Sequence, residues 1–178
     1  MGKETEQKQE IVNQGVHRYS QEEAYVWPEE PVLREQLEWF QDQKLALMVH
    51  WGMYNQLGMV ASWALSDEDA EWSRKTVDWT DDGELFKRQY RALNRAFDPV
   101  AFQPEEWAKM AKECGSRYLI LTTKHHDGFC LWDTAYTEYK TTAEECPFHT
   151  HKYADIVRAM FDAFRKEGLG IGAYFSKA

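Results

Sequence analysis

Between Arg117 and Phe129 the chain reads Arg-Tyr-Leu-Ile-Leu-Thr-Thr-Lys-His-His-Asp-Gly-Phe, an apolar run that breaks off into Lys124, His125, His126 and Asp127. From Tyr118 to Thr122 aliphatic, aromatic and β-branched residues follow one another almost without interruption. That is the pattern of a parallel strand buried on both faces, not of a half-wet antiparallel one. Parallel strands need crossover helices over the sheet faces, so ligands bind at the carboxyl ends of the strands and in the loops that follow. The polar cluster sits at that end.

A second buried run, Leu45 to Gly52, also delivers an imidazole at its carboxyl end, His50. Side chains at the ends of parallel strands converge on one rim, so two such runs predict a shared pocket, although a single buried His in a strand can equally be a hydrogen-bonded core residue. A third run, Gly170 to Ser176, closes the series. Helices are expected between these runs. Pro31 to Phe40 has helical spacing with Pro at its start. Glu105 to Glu113 has an acidic first turn, with Trp107, Met110 and Ala111 inward. Tyr153 to Glu167 is amphipathic, with Ile156, Val157, Met160, Phe161 and Phe164 inward, and is stopped by Gly168. Met53 to Pro99 sustains no strand pattern and reads as an elaborated first βα loop over the pocket, rich in Trp63, Trp72 and Trp79, with a helix near Asp82 to Ala92.

Strand, long loop, helix, strand, loop, helix, strand is the order of a parallel α/β protein. A (β/α)8 barrel takes about 250 residues, so this chain of 178 residues with a long insertion is expected to hold about the first half of one. Residues 1–24 read as a polar tail, and 25–178 as the amino-terminal part of the barrel. The exposed strand edges of such a half predict aggregation or homo-oligomers.

A net charge of −9 argues against nucleic-acid or anionic-membrane partners. No stretch approaches the ~20 apolar residues of a membrane span, and the given amino terminus, Met1-Gly-Lys-Glu-Thr-Glu-Gln-Lys, has no apolar leader pattern, so a cytoplasmic location is the default expectation. Cys114, Cys130 and Cys146 are widely spaced and expected as free thiols. The 15% aromatic content suits either a large aromatic core or a cleft that stacks on sugar rings.

Two chemistries fit the histidines. Neutral imidazoles from His50, His125 or His126, His149 and His151 could ligate a metal in a barrel hydrolase. Alternatively they exchange hydrogen bonds with sugar hydroxyls, for which a ring with one donor and one acceptor nitrogen is suited. Because adjacent strand residues point to opposite faces, His125 and His126 share a pocket only if the chain bends, as Gly128 permits.

Trp39-Phe40, His50-Trp-Gly52, Phe97-Asp-Pro99, Trp107, Lys124-His-His-Asp-Gly-Phe-Cys-Leu-Trp132 and Gly168-Leu-Gly-Ile-Gly-Ala-Tyr-Phe-Ser176 together resemble the amino-terminal half of the catalytic domain of α-L-fucosidases of glycoside hydrolase family 29. The resemblance covers about residues 36–176. It implies a (β/α)8-like barrel, retaining hydrolysis of glycans carrying terminal α-L-fucose through a covalent fucosyl-enzyme, and no metal or other cofactor. It matches His50, His125, His126 and Tyr174 to fucose-binding positions. Phe175 stands where the family has a second Tyr, which removes a hydroxyl. The family's first-loop Glu beside an aromatic is replaced by Ala61-Ser62-Trp63; Trp63 is expected to keep the sugar contact, with Glu71-Trp72 as the alternative. The resemblance places the nucleophile and the acid/base beyond Ala178, leaves Asp127 as a structural acceptor, and leaves this portion alone inactive. A metal-dependent barrel hydrolase and a non-catalytic carbohydrate-binding fragment remain the alternatives, and secreted, lysosomal or periplasmic locations also occur in the family.

Overall fold

The computed structural model describes residues 26–66 and 71–177. The expected polar tail of residues 1–24 and the side chain of Glu71 lie outside the described residues. The chain divides into two compact units, Met1–Asp42 and Gln43–Ala178.

In the first unit, helix α1 spans Pro31–Asp42. Its opening turn leaves backbone N–H groups without intrahelical partners. The Glu30 carboxylate accepts from the N–H groups of Val32 and Leu33, at 3.1 and 2.5 Å, and fills that need.

The second unit is built on a parallel sheet of β1 (Ala46–Val49), β2 (Tyr118–Lys124) and β3 (Gly170–Phe175), in that spatial order. Its helices are α2 (Gly83–Arg91), α3 (Pro104–Glu113) and α4 (Ile156–Lys166). Helix α4 packs on β2 and β3, and α3 packs on α4. The expected parallel α/β order is therefore present, with β2 in the centre.

Register fixes which residues share a face. Met48, Ile120 and Gly172 stand side by side, as do Val49, Leu121 and Ala173. Leu119 and Leu121 are fully buried in the main core with Phe86, Phe97, Phe102, Phe129, Phe148, Ile156, Met160 and Phe164. Burying each such side chain contributes roughly 1.5–3 kcal/mol, so this face holds the unit together. The opposite face is different: Tyr118 and Ile120 are only half-buried and Met48 is 50% exposed. The expectation of burial on both faces of these strands is thus corrected: the face of Leu119 and Leu121 is buried, while on the other Thr122 is buried and Tyr118, Ile120 and Met48 are not fully covered.

Two helix readings also change. Helix α4 begins at Ile156, not Tyr153, because the Asp155 carboxylate caps it by accepting the Arg158 N–H at 2.9 Å. In α3, Ala108 and Ala111 are buried while Met110 is 56% exposed, since the helical period turns position 110 away from Ala108. The long first loop is made of short 3-10 turns, Met53–Leu57, Ser62–Leu65, Glu71–Thr76 and Ala92–Ala96, besides α2. All three cysteines are free, Cys114 exposed and Cys130 and Cys146 buried.

Candidate functional site

The carboxyl ends of the three strands bring four of the expected residues together. His50 follows β1 directly, His125 and His126 follow β2, and Tyr174 is the penultimate residue of β3. The His50 and His125 ring centroids are 5.1 Å apart, His50 and Tyr174 6.0 Å, and His125 and Tyr174 6.5 Å with near-parallel planes. His126 lies 4.7 Å from His125.

Adjacent histidines share this space because β2 does not continue straight. The β2–β3 register slips between Thr122 and Lys124, and residues 125–128 then form a turn closed by the Gly128 N–H donating to the His125 carbonyl at 3.1 Å. Gly128 takes φ 84°, a left-handed conformation that other residues adopt only with strain.

Four groups outside the expected set hold this turn. Lys124 donates from Nζ to the carbonyls of His125 and Ser176, at 3.0 and 2.7 Å, tying the ends of β2 and β3. Ser176 Oγ lies 2.9 Å from His126 Nε2. Tyr90, from α2, donates its hydroxyl to Asp127 Oδ2 at 2.8 Å, while Asp127 Oδ1 accepts the Phe129 N–H at 3.1 Å. Asp127 thus spends both oxygens on structural donors, as expected of it. Ser62, from the first loop, places Oγ 2.5 Å from His125 Nδ1 and accepts the Asp127 N–H at 3.1 Å. Tyr54 holds His50 in a similar way, hydroxyl to Nδ1 at 2.5 Å.

Electrostatics follow from burial. Desolvation lowers the His125 pKa from 6.5 to about 4, helped by the nearby charges of His126, His50 and Lys124. Desolvation also lowers His50, opposed by a backbone hydrogen bond. Near neutral pH both rings are therefore uncharged, able to donate from one nitrogen and accept at the other. Burial raises Asp127 above the ordinary carboxyl value, opposed chiefly by the Tyr90 hydrogen bond. Burial and the negative charge of Asp127 raise the Tyr54 and Tyr90 hydroxyls, which stay protonated donors.

Trp63 is 46% exposed and meets Trp72, itself 50% exposed, edge to face at 6.5 Å. It is linked to the histidines through its neighbour Ser62. Both first-loop aromatics considered from the sequence thus stand together. His149 and His151 belong elsewhere: His149 Nδ1 lies 2.8 Å from the Cys146 carbonyl oxygen, and His151 stacks on Phe148 at 4.5 Å. Among the described residues no three His, Cys, Asp or Glu side chains are grouped to hold a metal ion. Asp133 is exposed and bound to Lys140 Nζ at 3.1 Å and to Thr142 Oγ1 at 2.9 Å.

Ser62, Tyr54, Tyr90, Lys124 and Ser176 had no sequence signal of their own as positioning groups. Only Lys124 and Ser176 lay inside recognisable motifs, and the separations Ser62–His125 and Tyr90–Asp127 are 63 and 37 residues.

The family model for α-L-fucosidases matches residues 12–178. The tissue α-L-fucosidase of Rattus norvegicus is 30% identical over 138 residues, which is 78% of this chain and 29% of the rat protein. Among solved structures, α-L-fucosidase isoenzyme 1 from Paenibacillus thiaminolyticus aligns with a TM-score of 0.60 at 33% identity, covering 79% of this chain and 28% of that one. A family 29 α-L-fucosidase from Bacteroides thetaiotaomicron, trapped as a covalent intermediate with 2-fluoro-fucosyl fluoride, aligns with a TM-score of 0.61 at 29% identity, covering 86% and 31%. The chain spans less than a third of the length of these relatives.

Proposed function

This chain belongs to the α-L-fucosidase family, and from that premise we propose that it forms the sugar-holding part of a retaining exo-α-L-fucosidase with a (β/α)8-like barrel. The observation that carries this reading is the convergence of His50, His125, His126 and Tyr174 at the carboxyl ends of three adjacent parallel strands. That rim is where barrel enzymes bind substrate. The uncharged rings of His50 and His125 suit a neutral sugar, whose hydroxyls both donate and accept. A 6-deoxy sugar also has an apolar side, for which the exposed Trp63–Trp72 pair is the suited neighbour.

The half-exposed sheet face with Met48 and Ile120 supports the barrel reading, since that face would become the barrel interior once further strands complete the ring. Retaining hydrolysis needs two carboxyl groups about 5–5.5 Å apart, one as nucleophile and one as acid then base. Asp127 is committed to Tyr90 and Phe129, and Asp133 to Lys140 and Thr142. Neither is free for that work, so we assign the catalytic pair to residues other than those described, with the pocket here fixing the fucosyl ring for attack. The substrate class is a glycan with a terminal α-L-fucose.

The test is hydrolysis of 4-nitrophenyl α-L-fucoside by the complete protein and its His126→Ala variant. Truncation leaves sugar and Ser176 hydroxyls without a partner, which costs about 1–3 kcal/mol, or roughly 5- to 150-fold in kcat/KM. Unchanged kinetics would refute the assignment. Binding of L-fucose without turnover would favour a carbohydrate-binding role, and activity lost on chelation and restored by zinc would favour the metal hydrolase.

A further inference from the structure

Ser62 is 1% exposed, and its hydroxyl meets two polar groups, the Asp127 N–H at 3.1 Å and His125 Nδ1 at 2.5 Å. The amide can only donate, so Ser62 Oγ accepts there. The hydroxyl proton must then point to an acceptor, because a buried donor left unpaired has given up its hydrogen bond to water with nothing in exchange. The acceptor within reach is His125 Nδ1. Were Nδ1 protonated, Ser62 would receive two donors while its own proton had no partner.

We propose that Ser62 is a positioning residue that fixes the tautomer of His125, holding Nδ1 as an acceptor and so leaving the proton on Nε2. The inference rests on the reading of this rim as the fucose pocket, and deepens it: His125 meets the sugar as a hydrogen-bond donor, directed at a sugar oxygen acting as acceptor. It also gives the departure from the family pattern in the first loop a role. Ala61-Ser62-Trp63 ties the loop that carries the exposed aromatic to the histidine turn through one hydroxyl, so aromatic and imidazole are set by the same contact. His125 is uncharged near neutral pH, where a single ring proton must choose between two nitrogens.

The experiment is imidazole nitrogen NMR on the complete protein labelled with 15N at histidine, near pH 7, for the native chain and for Ser62→Ala and Ser62→Thr. Thr keeps the hydroxyl and is the conservative rescue. In the native protein His125 Nδ1 is expected to be pyridine-like and Nε2 pyrrole-like. Ser62→Ala is expected to move both shifts toward a tautomer average, and Ser62→Thr to restore them. On the same samples L-fucose affinity should fall about tenfold in Ser62→Ala, a loss of about 1.4 kcal/mol, and recover in Ser62→Thr. A native His125 with a protonated Nδ1, or Ser62→Ala shifts identical to native, would overturn the proposal. The native spectrum alone decides it if Ser62→Ala does not fold. Shifts that follow the prediction in a protein that does not bind L-fucose would uphold the role of Ser62 and refute the fucose reading, so the two failures are distinct.

Discussion

Lowering the pH from 7 to 4 should destabilise this protein through His125, and the size of the effect follows from its surroundings. His125 is 4% exposed, and burial beside His126, His50 and Lys124 depresses its pKa from 6.5 to about 4. The sign follows from proton linkage: between these values the unfolded chain binds the proton and the folded one does not, so stability falls as pH falls. The contribution is fully present above pH 6.5, is lost progressively below it, and levels off near pH 4. The gap between 6.5 and about 4 corresponds to about 3 kcal/mol, or roughly 6–12 °C in Tm for a protein of this size. Carboxylates also take up protons as the pH falls, so the comparison is made with His125→Asn, whose amide oxygen replaces Nδ1 as acceptor for Ser62 but carries no titrating proton. Urea unfolding of both proteins at pH 7, 6, 5 and 4 should show the native chain losing about 3 kcal/mol more than the variant. Parallel pH profiles for the two would refute the reasoning, because they would mean that His125 protonates as readily in the fold as outside it.

Further outcomes are expected at the same turn and in the core. Tyr90→Phe removes the donor to buried Asp127 Oδ2 and should cost about 1.5–3 kcal/mol by urea unfolding; a variant as stable as native would mean the carboxylate finds another donor. Burial raises Asp127 above its ordinary 3.8, so stability relative to Asp127→Asn should fall as pH rises above 3.8, opposite in sign to His125, and a flat difference would contradict that burial. Gly128→Ala forces a side chain into φ 84° and should cost about 1–2 kcal/mol while loosening the histidine turn, checked by melting temperature and L-fucose affinity. Phe148→Ala in the fully buried core should cost about 3–5 kcal/mol; a loss under 1 kcal/mol would mean the site is less packed than described.

The strands were legible because the signal is local. Leu45–Val49 runs directly into His50 and Tyr118–Thr122 leads through Thr123 and Lys124 into His125, and parallel strands must deliver such ends to one rim. The convergence of His50, His125, His126 and Tyr174 followed from that rule together with the family motifs. The means by which the histidines are held did not. Tyr90 lies with Phe86 on the inward face that the spacing of α2 predicts, but that spacing does not say which group its hydroxyl meets, and Ser62 reaches the turn from a 3-10 turn, so the pairings with His125 and Asp127 are a property of the folded path. Helix boundaries failed for a related reason: Tyr153 fits the apolar spacing of α4, yet the Asp155 cap sets its start. Residue type favours an inward Met110, but the helical period turns it out, 56% exposed. The bend that lets His125 and His126 share a space is legible in Gly128, whose φ of 84° carries the turn.

The most direct test of the central claim is a crystal structure of the complete protein with L-fucose. The account predicts one sugar at the carboxyl ends of β1, β2 and β3, within hydrogen-bond reach of His50, His125 and His126, with Tyr174 against it. The His125 Nε2 atom should face a sugar oxygen while Ser62 remains on Nδ1. Fucose bound elsewhere, with these rings touching only protein, would contradict it.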